Sequence, residues 1–269
     1  MEGKTAIERL RKTRAMSPAV SMVIITASTI VMVLIASIYA YQVLERQRGA
    51  SEFDAVKKSF IAFDDAVRDV ALDKRGSRSA RFTVSYGVLK LVPNALFLSI
   101  NVDDYPNVNY NDTVGYVRYE IPTDYVNLGS GYKEYILGDN KTVVTSITED
   151  LCCALIEQES ESVHLTLYYR VRIMGPTTVQ VNGSTVNYVE ILVVKLTAAR
   201  FSAFKEADFD LTAKNVGITT QSFGPYAVDE DGSVTVKITL GETTSSVDID
   251  LNGEYVVFNL VIAQVSVGA

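Results

Sequence analysis

Two hydrophobic patterns follow one another along the chain. From Ala15 to Leu44 no residue is charged, and Met16 to Tyr41 is densely apolar. At about 1.5 Å per residue, a helix of that length spans a bilayer. The run then passes without a break into YQVLERQRGASEFDAVKKSFIAFDDAVRDVALDKRG, where the pattern changes. Phe53, Val56, Phe60, Phe63, Val67 and Val70 recur three and four apart, an apolar stripe on one helix face. Asp54, Lys57, Lys58, Asp64, Asp65, Arg68 and Asp69 fill the other faces. The spacing predicts one long helix in two parts, apolar all round and then amphipathic. It should end near Lys74-Arg75-Gly76, with basic residues and a glycine stop. Gly49, the one glycine inside it, is an expected flexible point.

From Arg81 the period drops to two. RFTVSYGVLKLV and ALFLSINV read as paired strands. In VHLTLYYRVRI, Val163, Leu165, Leu167, Tyr169, Val171 and Ile173 share one face; His164, Thr166, Tyr168, Arg170 and Arg172 share the other. Asn182-Gly183, Asp231-Gly232 and Asn252-Gly253 each signal a hairpin turn. Further helix is conceivable only around Glu149–Gln158 and Ala198–Glu206. The fold class this implies is α+β: one long N-terminal helix, then an antiparallel β-sandwich or barrel-like domain over 76–269. A weak seam lies near 139–162. No internal repeat is visible.

Charge orients the apolar run. The net charge is −7. Lys4, Arg9, Arg11, Lys12 and Arg14 against Glu2 and Glu8 give residues 1–15 a charge of +3, which leaves −10 for the remainder. A basic head keeps the N-terminus cytoplasmic and puts the acidic C-terminal part outside. That acidic body argues against nucleic acid as a partner.

Candidate chemistry adds little. Cys152 and Cys153 are adjacent, too strained to bridge each other and too few for a zinc site. They read as small half-buried residues, with an intersubunit disulfide as the alternative. The single histidine, His164, reads as a surface residue, and no nucleophile motif surrounds it. Asp229, Glu230 and Asp231 lack the ligand spacing of a calcium loop and read as part of a turn. No phosphate loop is present, and no metal, cofactor or enzymatic activity is expected. Asn111, Asn140 and Asn182 open N-glycosylation triplets, each at a plausible turn.

The N-terminus resembles the class III signal peptide of archaeal type IV pilins and archaellins. In that family a short basic leader ends in Lys or Arg followed by Gly or Ala, and a prepilin-type peptidase cuts there. The resemblance implies cleavage at Arg14, Ala15 and Met16, hence a leader of 1–15 and a long helix over 16–75. SPAVSMVI, with Pro18 third in the mature chain, is similar to archaeal pilin openings; Pro is tolerated in a first turn. Val20 stands where bacterial pilins carry an acidic residue. The resemblance covers about the first seventy-five residues. It implies a helix, with Pro18, Val23, Ile30, Leu34 and Ile38 in its apolar half, that lies in the membrane before assembly and in a filament core afterwards. Small residues such as Ala19, Ser21, Ala27 and Ser28 would let helices pack closely. The implied partners are other copies of the chain, the prepilin peptidase and assembly machinery, and the bilayer. Three readings stay open: a structural filament subunit for adhesion or surface contact, a minor ligand-binding subunit, and an uncleaved single-span anchor.

Overall fold

The computed structural model describes residues 18–73, 76–139, 141–199, 203–229 and 231–269. One helix, α1 (Pro18–Ala71), precedes twelve strands. These are β1 (Ser77–Val102), β2 (Asn109–Pro122), β3 (Lys133–Leu137), β4 (Val144–Thr145), β5 (Cys152–Gln158), β6 (Ser162–Tyr169), β7 (Val171–Val181), β8 (Ser184–Ala198), β9 (Ala203–Ala227), β10 (Ser233–Leu240), β11 (Thr243–Asp250) and β12 (Tyr255–Gly268). The chain divides into two compact units, Met1–Gln47 and Arg48–Ala269. The segment 139–162 lies inside the second. The amphipathic half of α1 therefore belongs with the strands rather than with the apolar half.

All twelve strands join one sheet in the order β3-β5-β6-β2-β1-β9-β12-β8-β7-β4, with β10 pairing β1 and β11 pairing β10. The pairing is mostly antiparallel, but β12 runs parallel to β8 and β4 parallel to β7. The sheet is open: β3 and β4 end the path. It folds over so that β8 lies against β1, β2 and β6.

This fold-over makes two cores. The first gathers the helix stripe with Phe82, Leu89, Val117, Tyr119, Leu165 and Leu167. The second is made of strand and loop residues, among them Leu98, Ile100, Val236, Ile238, Val256 and Phe258. β1 runs through both. Its alternating residues Phe82, Val84, Leu89 and Leu91 enter the first, and Leu98, Ile100 and Val102 the second. Between them the register shifts from Val92 to Leu96, and Asn94 adopts φ 53°. Pro93 and this left-handed asparagine bend the strand without ending it.

Several expectations are corrected. RFTVSYGVLKLV and ALFLSINV are not partners but successive parts of β1. No helix forms over Glu149–Gln158, where Cys152–Gln158 is β5, and around Ala198–Glu206 the described residues are the end of β8 at Ala198 and the start of β9 at Ala203. The helix stops at Ala71, short of Gly76. The expected stop residues Lys74 and Arg75 lie outside the described residues. At Asn182-Gly183 a two-residue turn joins β7 and β8, with φ 52° and 90°, the left-handed pair a type I′ hairpin needs. Gly232 and Gly253 lie in connections between strands that do not pair with each other. The hairpin at that end is β10–β11, turning at Gly241-Glu242 with Leu240 opposite Thr243. VHLTLYYRVRI breaks at Arg170 into β6 and β7, and β6 is buried on both faces: Val163, Leu165, Leu167 and Tyr169 enter the first core, and His164 and Thr166 on the other face are covered as well.

Phe60 lies fully inside the first core, edge-on to Phe82 at 5.6 Å between ring centroids. Phe60→Ala is expected to cost about 3–5 kcal/mol of stability. Urea unfolding of the full chain in neutral detergent checks this; a loss below about 1 kcal/mol would show that the stripe is not core.

The N-terminal helix as candidate functional site

The apolar half of α1 is long and uncharged enough to cross a membrane, and none of that window is buried. Val23, Ile30, Leu34 and Ile38 are 68, 56, 57 and 60% exposed. Each such side chain moved from water to an apolar medium gains about 1.5–3 kcal/mol. With a dozen large aliphatic side chains exposed between Val20 and Ile38, leaving this segment in water costs on the order of 20 kcal/mol. Its hydroxyls do not oppose transfer into an apolar phase. Thr26 donates to the Met22 carbonyl, Ser28 and Thr29 to that of Ile25, and Ser37 to that of Val33. These four hydroxyls are thus satisfied within their own helix. Ala19, Val23 and Ala27, with Met22, Thr26 and Ile30, line a shallow groove on one side. Pro18 begins the helix. The proposed cleavage residues Arg14, Ala15 and Met16 lie outside the described residues.

The second half of α1 is fastened by both oil and polar contacts. Phe53, Val56, Phe60, Phe63, Val67 and Val70 are all buried against the sheet. Immediately before this stripe, Glu52 reaches β1 where its pairing with β9 slips between Val84 and Val88. Its carboxylate accepts from the N–H groups of Ser85 at 2.8 Å, Tyr86 at 3.1 Å and Gly87 at 3.2 Å, and from the Tyr119 hydroxyl at 2.6 Å. A bulge leaves backbone donors unpaired, and one charged acceptor satisfies three of them. Burial, then the hydrogen bond to Glu52, raises the Tyr119 pKa, so its hydroxyl stays a donor. Gly87 has no side chain to spare: a Cβ there would lie 2.3 Å from the Tyr119 ring. Gly49 is likewise a contact point, not a flexible one. It is buried, and a Cβ would meet that of Tyr125 at 2.6 Å.

At the other end, Asn215 of β9 donates from Nδ2 to the carbonyls of Val70 and Ala71, at 2.9 and 3.0 Å. Last-turn carbonyls lack helical partners, and this side chain supplies one. Between the two clasps lies Asp64, only 2% exposed, with Oδ2 2.9 Å from Arg68 Nε and Oδ1 without a hydrogen-bond partner. Burial raises its pKa; Arg68 opposes the shift. Burial, then the charge of Asp64, also raises the pKa of Cys152 and Tyr169 beside it. Both cysteines are fully buried and reduced, not half-buried, and an intersubunit disulfide would require unfolding.

Two other polar residues are placed differently from expectation. Arg170, on the face taken as polar, is 3% exposed and donates to the Thr142 carbonyl at 3.2 Å and the Asp150 carbonyl at 2.6 Å, tying down the loop around β4. His164 is buried, not on the surface. Its Nε2 is 2.6 Å from Ser162 Oγ, and its Nδ1 3.6 Å from Glu159. β2 and β5 flank this stretch, so its backbone donors are spent in ladders rather than aimed at an oxyanion. Among the glycosylation candidates, Asn182 is exposed at its turn. Asn111 is exposed but sits within β2 opposite Ser99 rather than in a turn. Asn140 lies outside the described residues, as does Glu230 of the acidic turn. No metal-ligating cluster of three residues occurs among the described residues.

The model of a family of unknown function, DUF7289, matches residues 14–131. The similarity therefore takes in the whole of α1 together with β1 and β2, the strands that receive Glu52. No curated protein and no solved structure matches the chain.

Glu52→Ala strands three N–H groups and a hydroxyl at once, and is expected to destabilise the Arg48–Ala269 unit by about 3 kcal/mol. Glu52→Gln should recover part of this; chemical unfolding compares the three proteins. For Asp64, the folded pKa lies above the unfolded one, so the folded state binds the extra proton between the two values. Stability should then fall as pH rises through that window above the ordinary carboxylate range, and Asp64→Asn should remove the slope. An unchanged pH profile in the variant would contradict this.

Proposed function

We propose that the chain is a structural, non-enzymatic subunit of an extracellular type IV pilus-like filament serving adhesion or surface contact. The observation that carries this reading is the helix apolar on every side, continuous with a helix that is the packing element of a β-rich unit. Such a helix needs an apolar surround. Before assembly the bilayer supplies it, with the N-terminus cytoplasmic and the β-rich unit outside. After assembly, like helices from other copies supply it. A head-to-tail contact that does not close produces a fibre. The basic leader and the Arg14-Ala15 junction support processing before Met16 by a prepilin-type peptidase. The exposed Asn182 and Asn111 are the sequons that surface glycosylation would use.

The competing reading, an uncleaved single-span anchor, draws on the same apolar length. N-terminal sequencing of the surface protein separates them: a start at Met16 is expected, and a start at Met1 would overturn the filament reading. Arg14→Ala combined with Ala15→Leu should leave the chain at full length and remove it from the sheared surface fraction. Unimpaired processing of that variant would contradict the assigned cleavage site.

A further inference from the structure

A cleft of about 670 Å³ opens in the β-rich unit where two ends of the sheet meet. That volume is of ligand-binding size. One wall is β11, which pairs with β10 alone. The other comprises Thr145 of β4 with Ile173 and Pro176 of β7. The Val143 N–H donates to Ser245 Oγ at 3.1 Å and pins one end of the gap. Val144, Ile173 and Ile249 are buried side chains that give it an apolar floor.

The wall formed by β11 is an unused ladder. The two-residue turn makes Leu240 and Thr243 a hydrogen-bonded pair, and such pairs alternate along an antiparallel hairpin. Ser245, Val247 and Ile249 therefore spend their N–H and C=O groups on β10. Ser246, Asp248 and Asp250 turn theirs to the open edge, where no strand covers them among the described residues. The opposite wall is blunted by Pro176, which has no N–H, and by a register shift between Met174 and Thr177. Only one wall is fit to accept a strand.

Charge narrows the occupant. Among the described residues the cleft lining contains Glu149, Asp248 and Asp250, no lysine or arginine, and no aromatic ring to stack on a flat ligand. Asp248 accepts from Thr235 Oγ1 at 2.6 Å, and Glu149 from the Ser146 N–H at 2.8 Å, so both carboxylates are held in place. We propose that this cleft binds an extended peptide segment of a partner protein by strand addition to β11, and that the segment alternates apolar and basic residues. Its apolar residues stand beside Val247 and Ile249 over the floor. Its basic residues alternate with them, next to Asp248 and Asp250. The acidic excess of this chain disfavours a second copy of the same domain as the donor.

The test uses the full chain in neutral detergent and a fluorescein-labelled hexapeptide of alternating lysine and valine, read by anisotropy. Saturable binding is expected. An otherwise identical glutamate–valine peptide should bind at least about 10-fold more weakly, as should a lysine–valine peptide N-methylated on alternate residues, whose ladder donors are lost. Asp248→Lys with Asp250→Lys should reverse the charge preference. Ser246→Pro removes only an outward N–H and should weaken binding while leaving the β10 pairing intact. Failure of the lysine–valine peptide to bind the unmodified chain would overturn the proposal. So would N-methylated binding within about twofold, which would show charge attraction without strand addition.

Discussion

Everything in this molecule hangs on the docking of the second half of α1 into the sheet. Six stripe residues from Phe53 to Val70 lose their exposure there, worth about 1.5–3 kcal/mol each before the ordering of the chain is counted. Burial alone has no register: a helix can slide along an apolar floor. Glu52 at one end and Asn215 at the other remove that freedom, because each satisfies backbone groups that exist at one place only. The bulge in β1 and the last helical turn are thus the two fixed points of the first core.

The same continuity ties fold to function. Because α1 runs unbroken from Pro18 to Ala71, one element both serves as the packing helix of the Arg48–Ala269 unit and carries the apolar surface of the other unit. A cleaved secretory signal would be free of any such obligation. The apolar segment is joined without interruption to the hydrophobic stripe, and this supports the reading in which it is retained and used.

Periodicity revealed the helix, the stripe and the period-two remainder, since those patterns are local. The Asn182-Gly183 hairpin was legible for the same reason. Strand partnership was not, because it is settled by what packs across the fold. Asp231-Gly232 and Asn252-Gly253 carry the turn chemistry of hairpins, yet the strands they join pair elsewhere. Gly241-Glu242, a weaker signal, makes the real one. Buried polar residues were the other blind spot. Half-buried Glu52 and buried Asp64 and Arg170 look like solvent-facing charges in sequence, and only the unpaired backbone groups or ions beside them explain their placement. The one local hint at Glu52 was its place immediately before the stripe. His164 was misplaced because alternation implied a solvent face, whereas both faces of β6 are covered and the ring is held between Ser162 and Glu159.

The central claim is that the apolar half of α1 ends up surrounded by copies of itself outside the membrane. Both native cysteines are buried, so a single Ile30→Cys substitution reports helix proximity without background. Oxidation of cell-free sheared surface material should give covalently linked dimers of the mature chain. Monomers found only in the detergent-extracted membrane fraction, with nothing cross-linked in the sheared material, would contradict the account.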